Sequence, residues 1–200
     1  MADGRTSAGE QTRRRLLEAA ATAFSRRGYH GTATADIAAA AGVSEPTLFK
    51  HFGSKHALLV AALSQTARDL MAELDAPLDP AADPFVAFVE RARGLLADPK
   101  LAQLSRLRNF ALALTDEANL TGLGTDLDRF LQRIADAIAQ GQKTGAVRND
   151  VAPADVSELI LSLSLLFGFR SALEGDGPAA DRLSSVVDTL LAMLYAPGRS

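Results

Sequence analysis

The sequence predicts an all-α protein of about nine helices, and three observations support this prediction. Apolar residues recur at helical spacing along most of the chain, β-branched residues are sparse, and glycine and proline fall in a few short breaks. Hydrophobic residues make up 48% of the 200 positions, which is enough to bury a sizeable core. A chain of this length and composition folds into one large or two small helical domains.

The first predicted helix is amphipathic and covers residues 12–27. Leu16 and Phe24 fall on its apolar stripe, and Gly28 is placed where it can end the helix. The preceding residues are polar and have no such stripe. We therefore expect a disordered tail over residues 1–10.

Two short helices joined by a tight turn follow. The first begins at a cap on Thr32 or Thr34 and ends at Gly42, because glycine can adopt the left-handed conformation that closes a helix. Ser44 caps the next helix, over residues 45–52, since its hydroxyl can accept from free N–H groups in the first turn. The turn over residues 42–44 therefore connects two helices at an angle.

The helix over residues 45–52 has one anchored face and one free face. Leu48 and Phe52 lie four residues apart and point toward the core. The free positions are Glu45, Pro46, Thr47, Phe49, Lys50 and His51. A short helix anchored on one side can enter the major groove of DNA, so the pattern predicts a helix-turn-helix, although a generic helical hairpin would show the same periodicity.

The rest of the chain also predicts helices. Ser54 starts a fourth helix over residues 55–74, and the proline-punctuated stretch 77–84 indicates a loop. Gly122 and Gly124 are expected to interrupt a later helix near its start. The remaining helices are expected over residues 84–97, 100–114, 117–143, 154–173 and 179–195.

Charge is distributed unevenly along the chain. Residues 1–70 carry nine basic and six acidic residues, a net charge of +3, whereas the remainder carries a net charge of −6. All three histidines also lie in the first segment. A basic segment joined to an acidic one is typical of a nucleic-acid-binding domain fused to a domain with another task.

The first quarter of the chain also resembles a known family. The residues that carry the resemblance are Gly28-Tyr29, Thr32, Asp36-Ile37-Ala38, Ala41-Gly42-Val43-Ser44, Thr47-Leu48-Phe49, His51-Phe52 and Ser54-Lys55. With their internal spacing over about residues 12–63, they resemble the N-terminal signature of the tetracycline-repressor (TetR) family of bacterial regulators. The resemblance implies a homodimeric regulator, usually a repressor, that leaves its double-stranded DNA operator when a small apolar or amphipathic effector binds.

The resemblance also implies a division of the chain and a set of DNA contacts. We expect a helix-turn-helix DNA-binding domain over residues 11–54, followed over 55–200 by a ligand-binding and dimerisation domain whose connecting helix is 55–75. The positions matching phosphate contacts are Thr32, Thr34, Ser44, His51 and Lys55. Those facing the groove are Glu45, Pro46, Thr47, Phe49 and Lys50. Phe49 stands where the family usually has tyrosine, so a hydroxyl contact is lost.

The helix predicted over residues 154–173 is apolar on more than one face, and the last helix adds apolar residues at near-heptad spacing, which together predict a dimer interface. Packing within one chain would satisfy only one face of such helices, so a four-helix bundle formed by two chains is expected. The family uses the same arrangement, and twofold symmetry then predicts a pseudo-palindromic operator. The expected interface residues are Leu159, Leu163, Leu166, Val187, Leu190, Leu191 and Leu194.

A ligand pocket is expected among the middle helices. Its apolar candidates are Phe85, Phe88, Leu107, Phe110, Leu114, Phe130 and Phe167. Its polar candidates are Arg106, Asn109 and Arg170. Apolar residues at helical spacing more often fill a core, so each assignment competes with simple packing.

Other classes of function are less well supported. The chain has no cysteine, which excludes disulfides and thiolate metal sites and fits the cytoplasm, and no apolar run long enough to span a membrane. No cofactor, metal or catalytic motif is predicted, so an enzyme is not expected. A helical enzyme or carrier with a vestigial head, and a nucleoid-type protein without an effector, remain as alternatives. A fully packed second domain would favour the nucleoid type.

Overall fold

The computed structural model describes residues 7–77, 82–96, 98–114, 121–174 and 176–195. These residues confirm the all-α prediction, because they form nine helices and, beyond one isolated bridge between Val147 and Tyr195, no β-structure. The helices are α1 (Ala8–Arg27), α2 (Thr34–Ala40), α3 (Glu45–Phe52), α4 (Lys55–Leu74), α5 (Pro84–Leu96), α6 (Pro99–Leu114), α7 (Thr121–Lys143), α8 (Pro153–Glu174) and α9 (Asp176–Leu194).

Helix α1 begins four residues earlier than predicted. The Ser7 hydroxyl accepts from the Glu10 N–H at 3.2 Å, and the Glu10 carboxylate accepts from the Ser7 N–H at 2.7 Å. This capping box satisfies two backbone donors that the helix start would otherwise leave free. The tail expected over residues 1–10 is therefore corrected for residues 7–10, and residues 1–6 lie outside the described part of the chain.

The turn after α2 has the geometry that the sequence predicts. Gly42 has φ +70°, its N–H donates to the Ala39 carbonyl at 3.0 Å, and the Val43 N–H donates to the Ala38 carbonyl at 3.0 Å. These two bonds form a Schellman motif, which places a left-handed residue just after the helix end. A side chain at this position would strain the backbone, so glycine suits the turn.

The head, α1 to α3, shares one hydrophobic cluster with α4 and α6. Leu48 of α3 and Leu107 of α6 both have no exposed surface in this head cluster. Its buried members are Leu16, Leu17, Ala20, Ala21, Ala23, Phe24, Ile37, Ala38, Ala41, Leu48, Leu58, Leu59, Ala62, Leu63, Leu107 and Ala111. The predicted domain boundary at residue 54 therefore falls within a continuous core, and the first half of α4 packs with the head.

Two further clusters fill the rest of the molecule. The body cluster joins α4, α5, α7, α8 and α9 through Leu74, Phe85, Phe88, Val89, Ile134, Ala137, Ile138, Ala146, Val147, Val156 and Leu194. The end cluster joins α6, α8 and α9 through Ala102, Phe167, Ala179 and Leu183. Helix α6 thus contributes one face to the head cluster and another to the end cluster.

Two predicted helix starts differ from the structure. Residues 121–143 form one helix, so Gly122 and Gly124 do not interrupt it; the part predicted over 117–120 lies outside the described residues. Helix α9 begins at Asp176 rather than at 179, with Pro178 in its first turn. Proline is compatible with a first turn because the N–H groups there have no intrahelical acceptor.

Candidate nucleic-acid interface

Helix α3 is anchored from one side and open on the other. Leu48 is fully buried beneath it, whereas Pro46 and Lys50 are exposed and the Phe49 ring is 39% exposed. Burying a leucine side chain stabilises the fold by about 1.5–3 kcal/mol, so this one residue fixes how α3 sits on the head. The exposed face is the one that the sequence assigns to the DNA groove.

Ser44 forms the predicted N-cap of α3. Its side-chain oxygen accepts from the Thr47 N–H at 3.4 Å and lies 2.9 Å from the Thr47 hydroxyl. Ser44 remains exposed, so its hydroxyl is also accessible from outside. Capping and a phosphate contact are therefore geometrically compatible, as expected for a cap at the edge of a DNA-binding surface.

Glu45 is turned back toward α2 instead of standing free above the groove. Its Oε1 accepts a hydrogen bond from the Thr34 hydroxyl, and both side chains are half-buried. This contact joins the first residue of α2 to the first residue of α3. The Thr34 proton is therefore engaged with a carboxylate, although sequence analysis assigns this hydroxyl to a phosphate.

Thr32 lies in the core, which corrects its assignment as a phosphate contact. Its side chain is 2% exposed, and its hydroxyl donates to the Gly28 carbonyl at 2.7 Å, with the Ala23 carbonyl 3.2 Å away. The Gly28 carbonyl lies just past the end of α1, where carbonyls lack intrahelical donors, and the Ala23 carbonyl lies in the helix about one turn before that end. The hydroxyl therefore ties the loop over residues 28–33 to α1.

The start of α4 places a cation against the loop that follows α1. Ser54 caps this helix by accepting from the Ala57 N–H at 3.0 Å. The Lys55 ammonium lies 4.5 Å from the centre of the Tyr29 ring, which is within the range of a cation–π contact. The ring orients Lys55 without neutralising it, so the charge remains available to an anion near the helix start.

Sequence reasoning missed how a second cation approaches α3. The Arg13 guanidinium lies 5.0 Å from the centre of the Phe52 ring, at the end of α3. His51, which is half-buried, lies beside the same ring at a centroid distance of 6.2 Å. Periodicity places Arg13 only off the apolar stripe of α1, because the contact depends on how α1 and α3 cross.

The structure does not bring the predicted pocket residues together. Phe88 belongs to the body cluster, Leu107 to the head cluster and Phe167 to the end cluster. Phe85 and Phe130 also lie with the body cluster, and Phe110 packs against the head cluster. The Leu114 side chain lies outside what the structure describes, and Asn109 is half-buried. The described apolar candidates are therefore divided among three hydrophobic clusters, where each has a packing role.

Two surface grooves are present elsewhere among the described residues. One, of about 460 Å³, lies between α1 and α2 and is lined by residues that include Arg15, Arg26 and Asp36. The other, of about 380 Å³, lies among α1, α4 and α6 and includes Thr66 and Lys100. Neither groove is lined by a predicted pocket residue.

Arg106 and Arg108 both reach from α6 to α8. An Arg106 Nη donates to the Ser171 hydroxyl at 3.4 Å, and Arg108 donates to the Ser164 carbonyl at 2.7 Å and to its hydroxyl at 3.3 Å. Burial lowers the pKa of Arg108 to about 10, because desolvation disfavours the charged form. Arg170 also belongs to α8 and is half-buried.

Helices α8 and α9 leave large apolar side chains uncovered in the single chain. On α8 the exposed residues, at intervals of seven, three and four, are Leu159, Leu166, Phe169 and Leu173. On α9 they are Val186 and Met193. We call these six residues the apolar face. Sequence analysis named only its first two members, because α8 is apolar around most of its circumference.

One predicted interface residue does not belong to this face. Leu194 is 4% exposed and lies in the body cluster, which corrects its assignment to a dimer interface. Its carbonyl accepts from the Arg148 N–H at 3.0 Å, so the end of α9 is joined to the turn after α7. Leu163, Val187, Leu190 and Leu191 are partly buried against the body and end clusters.

The described part of the chain offers neither a metal cluster nor a membrane-spanning helix. No group of three or more histidine, aspartate or glutamate side chains there could hold a metal ion. None of the helices in those ranges is long and apolar enough to cross a membrane.

Comparisons with known proteins agree with this geometry. Residues 16–62 match the model of the bacterial regulatory proteins of the tetR family. The chain is 32% identical over 160 residues to the transcriptional regulator RutR of Escherichia coli K12, covering 80% of this chain and 73% of RutR. It is 27% identical over 177 residues to the transcriptional repressor DhaR of Mycobacterium sp. strain GP1, covering 88% and 89% of the two chains.

A solved structure extends the similarity over the whole fold. A transcriptional regulator from Saccharomonospora viridis, crystallised in complex with choline, superimposes with a TM-score of 0.72 at 26% identity, covering 91% of this chain and 96% of that one. The matched segment includes the capped α3, the Gly42 turn and the start of α4. The chain therefore belongs to the TetR family of bacterial regulators and is a helix-turn-helix DNA-binding transcription regulator.

Proposed function

We propose that this protein is a homodimeric, ligand-responsive repressor that binds a pseudo-palindromic operator and acts in the cytoplasm. The observation that carries the proposal is the exposed face of α3, which Leu48 anchors and Ser44 caps. In a dimer, two such helices can enter successive major grooves, so the operator has two related half-sites about one helical turn apart.

The contacts proposed for each half-site combine the family's contact positions with side chains that are exposed or half-buried. Pro46, Thr47, Phe49 and Lys50 face the bases, and the Phe49 ring supports contact with a thymine methyl group. Ser44, His51 and Lys55 contact phosphates, and Arg13 adds a further cation at the end of α3. Phosphate contacts position the head, whereas the groove residues give it sequence preference.

The apolar face supports the homodimer. Exposed leucine and phenylalanine at heptad-like intervals need an apolar partner, because burial of such side chains drives association. A twofold arrangement lets one face cover its own copy and gives the four-helix bundle of two α8–α9 pairs. Leu163, Val187, Leu190 and Leu191 extend the proposed interface at its edges.

Binding of fragments from genomic DNA tests the operator proposal. We expect enrichment of fragments with inverted repeats, and protection of both half-sites from chemical cleavage. Thr47→Ala and Phe49→Ala should reduce the preference for operator over scrambled DNA, by about 1–3 kcal/mol for a residue that reads a base. Val86→Ala, a truncation of a 41% exposed apolar side chain on α5, is the matched control. Salt-sensitive binding without any preferred sequence would contradict the proposal.

Response to a small molecule is proposed from family membership and from a relative. The regulator from Saccharomonospora viridis was crystallised with choline, so a related fold accommodates a small polar molecule. An effector must bind the DNA-free arrangement more tightly than the DNA-bound one, since equal affinity shifts nothing. A ligand screen that measures release of the selected operator tests this step.

A DNA-binding protein without an effector is a second candidate. The observation that favours it is the burial of Phe88, Leu107 and Phe167 in three separate clusters instead of around one cavity. Its test is the same screen, because no compound that binds the body would release the operator. Saturable release of the operator by any one compound would instead support the ligand-responsive repressor.

A further inference from the structure

The interface between α6 and α8 contains a cation whose charge is not balanced. Arg108 is half-buried, and its Nη atoms donate only to the carbonyl and hydroxyl of Ser164 on α8. Within the described ranges, no carboxylate pairs with it. Burial without such a partner lowers the pKa of Arg108, which means that the protein environment disfavours the charge it carries at neutral pH.

Two polar atoms at this place also lack hydrogen bonds. Among the described residues, neither Arg108 Nε nor Ser105 Oγ has a partner, and both atoms are inaccessible to solvent. Ser105 is 1% exposed and lies three residues before Arg108, so both residues share one face of α6. Leaving a buried donor unsatisfied costs about 1–3 kcal/mol, and more when the group is charged.

The chemistry that would satisfy these groups is specific. A carboxylate can accept from the Arg108 Nε and from the Ser105 hydroxyl, and it neutralises the guanidinium. One positive charge balances one negative charge, so a dianion such as a phosphate monoester would leave a charge unbalanced. Ala102, three residues before Ser105 on α6, and Phe167, three residues after Ser164 on α8, both belong to the apolar end cluster, which suits a ligand with a hydrocarbon body.

From this juxtaposition we propose that Arg108 and Ser105 bind the carboxylate of a small amphipathic monoanion at the α6–α8 interface. The inference rests on the proposed function, because it names the chemical class of the effector. The polar anchors predicted from the sequence include Arg106 and Arg170 but not Arg108, because the desolvation that sets Arg108 apart depends on how α6 packs against α8.

Ligand binding between α6 and α8 would affect both the DNA-binding head and the proposed dimer interface. Helix α6 contributes Leu107 and Ala111 to the head cluster, and Arg108 lies between them in sequence. Helix α8 carries the larger part of the apolar face. The two helices close over Arg108, so a ligand must move them apart, and such a ligand prefers the opened arrangement over the closed one. Because α6 packs into the head cluster, movement of α6 then changes the position of the head.

The test uses thermal unfolding of the full chain with three carboxylates. The probes are benzoate, 4-phenylbutyrate and decanoate, each compared with its neutral alcohol (benzyl alcohol, 4-phenylbutanol or decanol) and with choline. We expect at least one carboxylate to raise Tm saturably and its alcohol to bind at least about tenfold more weakly, because the charged hydrogen bonds are lost. No shift with any carboxylate, or an equal shift with an alcohol or choline, would overturn the proposal.

Variants connect the binding to the named residues. Arg108→Met should weaken carboxylate binding at least about tenfold and leave the ligand-free Tm unchanged or higher, since it removes an unbalanced buried charge. Ser105→Ala removes a hydroxyl that has no hydrogen-bond partner among the described residues, so it should weaken carboxylate binding several-fold with no loss of Tm. Arg148→Met, at the turn after α7, is the control. Wild-type affinity in Arg108→Met, or a large drop in its ligand-free Tm, would assign Arg108 a structural role and overturn the proposal.

The two proposals fail in different ways. Operator binding is measured on the wild-type protein without any probe, so its failure contradicts the DNA-binding regulator whatever the carboxylates do. Operator binding that persists while every carboxylate fails to bind overturns only the inference about Arg108.

Discussion

At the scale of single residues, Glu45 changes what the first turn of α3 can do. Its carboxylate holds the Thr34 hydroxyl and lies close to Ser44, which we propose to contact a phosphate. A negative charge near DNA phosphates is unfavourable, whereas the same carboxylate could accept from a cytosine amino group in the groove. Glu45 therefore either weakens binding to all sequences or supports binding to some of them.

Glu45→Gln separates these two roles. Glutamine retains an oxygen that can accept from Thr34, so the contact between α2 and α3 is preserved. We expect operator affinity to rise by roughly tenfold to thirtyfold in fluorescence anisotropy, since the dimer loses two charges and each is worth up to about 1 kcal/mol near a phosphate in a high-dielectric setting. A similar gain on scrambled DNA is expected. A loss confined to operators with cytosine at one position would instead mean that Glu45 reads that base.

Removal of the Lys55 charge tests the proposed phosphate contacts. Lys55→Met keeps most of the apolar stem beside the Tyr29 ring and removes the ammonium. We expect weaker binding to specific and nonspecific DNA alike, with the slope of log K against log salt reduced in magnitude by about two, one for each chain of the dimer. The Tm should change little, because a cation–π contact at such a site is worth about 0.5–1 kcal/mol. An unchanged salt slope would exclude Lys55 from the phosphate contacts.

At the scale of helices, most of the architecture could be predicted from local signals. Ser44 and Ser54 place the starts of α3 and α4, and Gly42 places the turn, because caps and left-handed glycines act through neighbouring backbone groups. The capping box of Ser7 was equally local, but the polar residues around it concealed the helix start. Which face of α8 is covered could not be predicted, because that helix is apolar around most of its circumference.

Packing between helices also determines residues that no local signal indicates. Leu194 has the same spacing as its interface neighbours, yet the bond between its carbonyl and Arg148 draws it into the body cluster. Thr32 resembles a surface residue of the helix-turn-helix, yet its hydroxyl donates a hydrogen bond to the Gly28 carbonyl at the end of α1. Arg108 differs from Arg106 and Arg170 only in its surroundings. In each case the contact joins positions far apart in sequence or depends on how two helices cross.

Gly141 on α7 offers a test of this packing. A Cβ at this position would lie 2.6 Å from Val147 Cγ2 and 2.8 Å from the Phe85 ring, both in the body cluster. We expect Gly141→Ala to lower the free energy of unfolding by about 1–3 kcal/mol, because overpacking outweighs the better helix propensity of alanine. Gly94→Ala on α5, where a Cβ meets no atom within 4 Å, should instead raise it by up to about 1 kcal/mol. Denaturant unfolding of both variants measures the difference, and equal effects would contradict it.

At the scale of the whole molecule, charge and apolar surface are separated along the fold. Most of the described basic residues of the first segment lie in α1, α3 and the start of α4, while the acidic remainder carries the apolar face on α8 and α9. This separation suits a molecule that binds a polyanion at one end and its own copy at the other. The affinity for a two-part operator then depends on the dimer, since each head alone contacts only one half-site.

Leu166→Glu tests that dependence. Leu166 is 51% exposed on the apolar face. A twofold axis through this face would bring Leu166 near the same residue of the second chain. Two new glutamate carboxylates would then repel each other in an apolar interface. We expect the mass measured by light scattering to fall from twice 21.0 kDa to 21.0 kDa, and operator affinity to fall by at least about tenfold while the helical circular dichroism is retained. Leu127→Glu, the same change at a 38% exposed leucine of α7, should leave the dimer and its operator affinity intact. A dimer that survives Leu166→Glu but dissociates with Leu127→Glu would place the interface on α7 and contradict the proposed four-helix bundle.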